Sequence, residues 1–280
     1  MKTRRSERLV DMVYYLAHHP HELITLGFFT ERYQSAKSSI SEDLGIVKKT
    51  FMDRGIGLIE TVPGATGGVR FIPMMKTSDA LLVGEDLAAA IANPERILTG
   101  GFIFLTDLLS RPSVLNRIGR MIASRYAKEN VTAVVTVASK GIPIAEATAQ
   151  YLSVPFVMVR RESKITEGST VSINYPSYRT NRVEKMEVTK RALKKGDRVI
   201  IIDDFLNGGG TMQGMQILAE EFGAKVVGNC VLCELHRPDE KQLGQIESIV
   251  RITDLDEQEK RVQTTLGSFF DHYKAEGLSE

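Results

Sequence analysis

Leu9, Met12, Val13 and Leu16 fall on one face of a helix over residues 8–17, and Pro20 follows the end of that pattern. A second short apolar helix is predicted over 25–33. Gln34 and Ser35 separate it from a third over 36–51, in which Ala36, Ile40, Leu44, Val47 and Phe51 recur at spacings of four, four, three and four and so share a buried face. Ser38, Glu42, Gly45 and Lys49 point the opposite way, flanked by Lys37, Ser39, Ser41 and Lys48. Two strand-like runs, 58–62 and 69–72, enclose Pro63-Gly64-Ala65-Thr66-Gly67-Gly68, a segment that reads as the turn of a hairpin.

Helix, tight turn, helix, then hairpin is the order of a winged helix, and residues 1–75 are assigned to such a domain. Its third helix carries small hydrogen-bonding side chains at its start and cations further along, which suits entry into a DNA major groove. Arg4, Arg5, Lys37, Ser38, Ser39, Ser41, Lys48 and Lys49 are the candidate DNA contacts, with Thr66, Gly67, Gly68 and Arg70 at or just behind the hairpin tip. Polar residues at 76–79 break the pattern and are expected to join two domains. Beyond them strands are predicted at 102–105, 133–137, 156–159, 199–202 and 225–232, and helices at 112–128, 143–152 and 211–221. That alternation specifies a parallel α/β domain over 76–280. The charged stretch from about Asp254 is expected to be partly frayed.

Arg198 to Met215 compresses a buried strand, an acidic pair, a glycine-rich turn and a helix start. Asp203 and Asp204 fall at the carboxyl end of a β-branched run, where open α/β sheets bind ligands. Gly208, Gly209 and Gly210 let backbone amides approach a phosphate, and Thr211 opens a helix whose amino end favours an anion. The two carboxylates suit ribose hydroxyls or a magnesium ion bridging to a pyrophosphate. A second loop, Ala138-Ser139-Lys140-Gly141, offers amides and one cation at the end of the strand at 133–137. The long polar stretch between Arg160 and Met186 has the character of a functional lid.

The chain of 280 residues carries 42% hydrophobic and 25% charged residues, an ordinary globular composition. Thirty-six basic against thirty-five acidic residues exclude nucleic-acid binding by bulk charge, so any such binding is local. Residues 1–76 hold eleven basic and eight acidic side chains, whereas the remainder hold 25 and 27, a distribution with the sign that DNA requires. No run approaches the ~20 apolar residues needed to span a bilayer, and the basic amino terminus lacks a signal-peptide core, so a cytoplasmic location without membrane association is expected. Cys230 and Cys233, with His236 nearby, are expected to be buried structural thiols, since a zinc site would need more ligands. There is no internal repeat or low-complexity segment.

The segment from Val199 to Thr211 resembles the signature of type I phosphoribosyltransferases, in which hydrophobic residues precede two acids and a Thr-Gly-Gly-Thr-like turn. Gly208 stands where that family usually has a phosphate-binding threonine, and Asn207 where hypoxanthine and guanine enzymes usually have an acid. Both departures favour binding without turnover. End to end, the chain resembles the purine operon repressors of Gram-positive bacteria. The resemblance is carried by Phe28-Phe29, Ser35 to Leu44, Asn93-Pro94-Glu95-Arg96, Thr166 to Tyr175 and Asp203 to Gly210. It implies a homodimer that binds paired boxes in purine gene control regions and represses or activates them. The implied effector is 5-phosphoribosyl 1-diphosphate, with or without Mg2+, and guanosine tetraphosphate competes for its pocket. It further implies that 160–186 is the flap over the ribose diphosphate, with Arg160 and Lys164 as phosphate contacts, and that Phe205 lies against a bound nucleotide. Catalytic residues and an intrinsic metal are not expected. The alternative is an active xanthine-like phosphoribosyltransferase, to which Asp203-Asp204-Phe205-Leu206 is also similar.

Overall fold

Helical spacing at the amino terminus is realised as α1 (Arg5–His18), α2 (Leu26–Tyr33) and α3 (Lys37–Asp53), with the hairpin β2 (Gly57–Val62) and β3 (Gly68–Pro73) behind them. The computed structural model describes residues 3–64, 66–162, 168–177, 182–235 and 245–275. A short strand that the sequence pattern concealed, β1 (Leu23–Thr25), pairs antiparallel with β3, giving the sheet order β1-β3-β2. Thr25 ends that strand and caps α2, its hydroxyl accepting from Phe28 N–H at 3.2 Å. Gln34, at φ 48°, makes the left-handed turn into α3.

Ile40, Leu44, Val47 and Phe51 are buried on α3 as their spacing requires, in one core with Met12, Leu16, Phe29 and Phe71. Ala36 departs from the expectation: it precedes the helix as its cap and is exposed. The same helix buries an acid between its apolar positions. Asp43 is fully buried and accepts from Arg8 Nη2 at 2.8 Å and Arg5 Nε at 2.8 Å, tying α3 to α1. Thr25→Ala, which removes the α2 cap, is expected to cost about 1 kcal/mol of stability. Chemical denaturation of the full chain checks it, and an unchanged midpoint would contradict the role of the cap.

The remaining elements are α4 (Thr77–Ile91), β4 (Ile97–Leu98), β5 (Phe102–Ile103), α5 (Thr106–Leu109), α6 (Pro112–Tyr126), β6 (Ala133–Val137), α7 (Ile142–Leu152) and β7 (Phe156–Val159). They continue with β8 (Thr170–Ser177), β9 (Arg182–Thr189), β10 (Arg198–Leu206), α8 (Gly210–Glu221), β11 (Lys225–Leu235), β12 (Glu247–Asp256), β13 (Arg261–Leu266) and α9 (Asp271–Ala275). Six strands form one sheet in the order β13-β12-β11-β10-β6-β7, parallel except for β13. Contacts divide the chain into two compact units, Met1–Lys76 with Tyr151–Ser153, and Thr77–Gln150 with Val154–Glu280.

Four expectations about the second unit are corrected. The polar break at 76–79 is mostly the first turn of α4, whose Ala80, Val83, Leu87 and Ile91 are buried at helical spacing. The strand expected at 102–105 is only two residues long and pairs with β4 outside the main sheet, because Leu105 leaves the ladder to cap α5. The lid-like stretch after Arg160 contains the antiparallel pair β8 and β9, and Tyr175, Met186 and Val188 bury their side chains in the sheet core. The charged end is not frayed up to Ala275: β12 and β13 run through it, and Phe269 and Phe270 are fully buried. Cys230 and Cys233 are buried free thiols, as expected, their pKa values raised by burial.

Candidate functional site

The site in the α/β unit follows from strand register. β6 and β10 are parallel neighbours in which Val199 faces Ala133 and Ile202 faces Thr136. The chain therefore leaves both strands at the same level, and the turns after Val137 and after Leu206 open side by side. All five residues of β6 and the run from Val199 to Asp203 are buried, which fixes the strands rigidly beneath those turns. The β10 strand extends past the expected 202, so the acid pair is held by the ladder itself.

Glycine is required where the loops touch. A Cβ on Gly141 would run into the Thr136 hydroxyl and come within 3.1 Å of Asp203 Oδ1, so the 138–141 loop lies directly on the acid. Gly208 and Gly209 adopt φ of 75° and 68°, and Gly209 caps α8. The helix starts at Gly210, one residue earlier than expected. The Ala138–Ser139 peptide is cis.

These loops surround a cavity of about 530 Å³. Ala138, Ser139, Lys140, Asp203, Asp204, Phe205, Asn207, Gly210 and Thr211 line it, all anticipated from the sequence; Gly141, Gly208 and Gly209 shape its loops without lining it. Arg160 does not line it: its backbone is engaged in a two-way bridge with Glu187. The next residue, Arg161, lines it instead and donates from Nη2 to Thr211 Oγ1 at 3.2 Å, with Glu184 Oε2 3.8 Å from its Nε. Lys164 lies outside the described residues. Phe102, Ile103, Val137, Arg161 and Glu184 also line the cavity and were not anticipated. Arg161 is the immediate neighbour of the expected Arg160, and Glu184 lies on β9 within a stretch whose polar composition resembles a loop. Tyr175 donates to Glu184 Oε2 at 2.9 Å, and its own pKa is raised by burial and by that carboxylate.

Burial pushes the Asp203 carboxyl well above the ordinary carboxylate range, and the charge of Asp204 pushes it further. Asp204 is also raised by burial, against the pull of its bond to Asp203 and of the Lys140 ammonium. A buried acid and its half-buried neighbour beside backbone amides, Lys140 and Arg161 form a site asking for hydroxyl donors or a cation on one side and an anion on the other. Among the described residues no group of three or more His, Cys, Asp or Glu is placed to hold a metal. A cation here would complete its shell from ligand oxygens and water.

In the first unit a groove of about 550 Å³ runs between α3 and the hairpin, lined on one side by Lys37, Ser41, Gly45 and Lys48 and on the other by Thr61, Thr66, Gly67 and Gly68. Ser38, Ser39 and Lys49 lie on α3 outside this groove. Arg4 is exposed at the start of α1, while Arg5 spends its guanidinium on Asp43 and, at 3.6 Å, on Glu42. Arg70 faces Glu60 across the hairpin, with Nη1 3.5 Å from its carboxylate. Arg5 and Arg70 thus each have an acidic neighbour, and Lys37 and Lys48 are the lysines that line the groove. No helix among the described residues is long and apolar enough to cross a membrane.

Residues 4–73 match the family described as "Bacterial purine repressor, N-terminal", and residues 104–266 match the phosphoribosyl transferase domain. The purine biosynthesis transcriptional repressor of Bacillus subtilis is 51% identical over 274 residues, covering 98% of this chain and 96% of that protein. A purine biosynthesis transcriptional activator of Lactococcus lactis is 42% identical over 267 residues, covering 95% and 98%. Among solved structures, adenine phosphoribosyltransferase from Thermoanaerobacter pseudethanolicus superposes with a TM-score of 0.52 at 24% identity. That match covers 60% of this chain and 99% of that one, a likeness of fold. High identity therefore runs through both units toward proteins named as regulators, and enzymes are matched only partially and at low identity. The chain belongs to the bacterial purine repressor family.

Proposed function

We propose that this protein regulates transcription of purine biosynthesis genes by binding double-stranded DNA through residues 1–75, and that residues 76–280 bind 5-phosphoribosyl 1-diphosphate without turning it over. The observation that carries the reading is the cavity over Asp203 and Asp204, which resembles a phosphoribosyl site in a chain 51% identical to a named purine repressor. Amides of the 138–141 loop and Lys140 suit the pyrophosphate, the amino end of α8 with Thr211 suits the 5-phosphate, and the acid pair suits the ribose hydroxyls. Asp203 and Asp204 are the residues that would hold a magnesium ion there. When bound it would neutralise the repulsion between phosphate and carboxylates. Phe205 at the cavity wall suits the ring of a competing guanosine tetraphosphate. The protein acts as a cytoplasmic homodimer, as repressor or activator.

A purine-gene promoter fragment should be retarded by the protein in an electrophoretic shift assay, with salt sensitivity and preference over scrambled DNA. Absence of such a shift at every effector concentration would sink the regulator reading. The xanthine-like alternative is favoured only by the Asp203-to-Leu206 sequence; formation of a nucleotide from any purine base, magnesium and phosphoribosyl diphosphate would support it.

A pH dependence follows from the acid pair. Hydroxyl donors and magnesium bind the ionised carboxylates, whereas burial keeps Asp203 and Asp204 protonated to higher pH than usual. Ligand binding should therefore release protons, and affinity should rise as pH climbs from the ordinary carboxylate range through the raised values. Titration calorimetry in two buffers of different ionisation enthalpy checks this. Heats identical in both buffers at every pH from the ordinary carboxylate range upward would contradict it.

A further inference from the structure

Five glycines line the groove between α3 and the hairpin, and only three of them are explained by the fold. Gly64 has φ 121°; a Cβ on Gly67 would collide with the Val62 carbonyl, and one on Gly68 with the Ile24 carbonyl. Gly27 and Gly45 are different. Gly27 is the second residue of α2 and Gly45 lies in the middle of α3; both are exposed, and neither adopts a left-handed backbone. A Cβ on Gly45 would meet nothing within 4 Å, and one on Gly27 would meet only the Thr25 hydroxyl at 3.7 Å, an ordinary contact. A glycine within a helix weakens it relative to alanine. The fold gains nothing from either, yet both open onto the same groove.

Geometry supplies a reason. If α3 enters a major groove and the hairpin the neighbouring minor groove, the sugar-phosphate strand dividing them has to pass between the two elements. The space between them is this groove, lined by Lys37 and Lys48 and by backbone left bare at Gly27 and Gly45. We infer that the groove seats one sugar-phosphate strand of duplex DNA, and that Gly27 and Gly45 are the points where the strand lies against helix backbone. The inference rests on the regulator reading and deepens it: these two glycines are positioning residues for the backbone, not readers of base sequence.

Gly27→Ala and Gly45→Ala in the full-length protein test it, with Thr50→Ala, an exposed α3 position outside the groove, as the control for helix propensity. Each glycine variant is expected to bind both promoter and scrambled duplex about tenfold more weakly, with a thermal midpoint equal to or above that of the unsubstituted chain. Thr50→Ala should bind as the unsubstituted chain does. Unchanged DNA affinity in both glycine variants overturns the inference. So does weakened binding accompanied by a lowered midpoint, which would return the glycines to a role in folding. An unsubstituted chain that binds no duplex at all would instead overturn the regulator reading, so the two failures are distinguishable.

Discussion

Replacing Asp203 and Asp204 together by Asn should remove effector binding while leaving DNA binding intact. The substitution keeps side-chain volume and preserves an acceptor for the Asp204 N–H, which bonds to Asp203 Oδ1 at 2.9 Å. It removes both charges that ribose hydroxyls or magnesium would meet. Two charge-assisted hydrogen bonds at about 1.5 to 3 kcal/mol each amount to roughly two to four powers of ten in affinity. The stability of the fold should move the other way. The folded pKa values are raised, so the pair favours the folded state most below the ordinary carboxylate range and loses that advantage as pH rises through the raised values. Near neutrality the Asn variant should therefore be at least as stable as the parent, and the gap should close in acid. Calorimetry with unchanged effector affinity in the variant would contradict the assignment of the acids.

Lys37→Ala with Lys48→Ala should weaken binding to all duplexes alike, by about a hundredfold if each contributes ~1.5 kcal/mol through a charged contact. The slope of log affinity against log salt should flatten by about 1.8, from two lost phosphate neutralisations. Ser38→Ala or Ser39→Ala should instead relax preference for the cognate box, since these small side chains at the start of α3 suit base edges. Equal salt slopes for the lysine variant and the parent would remove the groove from the DNA interface. The structure sharpens the choice of residues: Arg5 and Arg70 answer Asp43 and Glu60, and Lys37 and Lys48 do not share those partners.

The parts of the fold legible in the sequence are those where one period dominates. β6, apolar except for Thr136, and the Val199–Ile202 run are buried on both faces, and α3 keeps its buried helical spacing from Ile40 to Phe51. Elements with mixed signals were missed. In β8, Val171, Ile173 and Tyr175 alternate with polar residues, a strand signature that the surrounding polar composition masked. In α4 the buried positions were present at helical spacing, but the polar start at 77–79 read as a linker. The pocket was legible on its two glycine loops because their chemistry is local. Phe102, Arg161 and Glu184 reach it from elements distant in sequence, which no local pattern encodes. The Asp43 pair with Arg5 and Arg8 belongs to the same class, joining residues 35 and 38 positions apart.

If ligand in the acid-lined cavity and DNA on the first unit are thermodynamically linked within one molecule, each changes the affinity of the other. Linkage requires the coupling to be reciprocal, and typical values of about 1 to 3 kcal/mol correspond to affinity changes of roughly 5- to 150-fold. The most direct measurement is DNA affinity across a titration of 5-phosphoribosyl 1-diphosphate at fixed salt, paired with effector affinity in the absence and presence of saturating promoter DNA. Equal factors are expected in the two directions, with no effector dependence in the Asp203→Asn, Asp204→Asn variant. A DNA affinity independent of effector in the unsubstituted protein, or an equal response in the variant, would contradict the linkage.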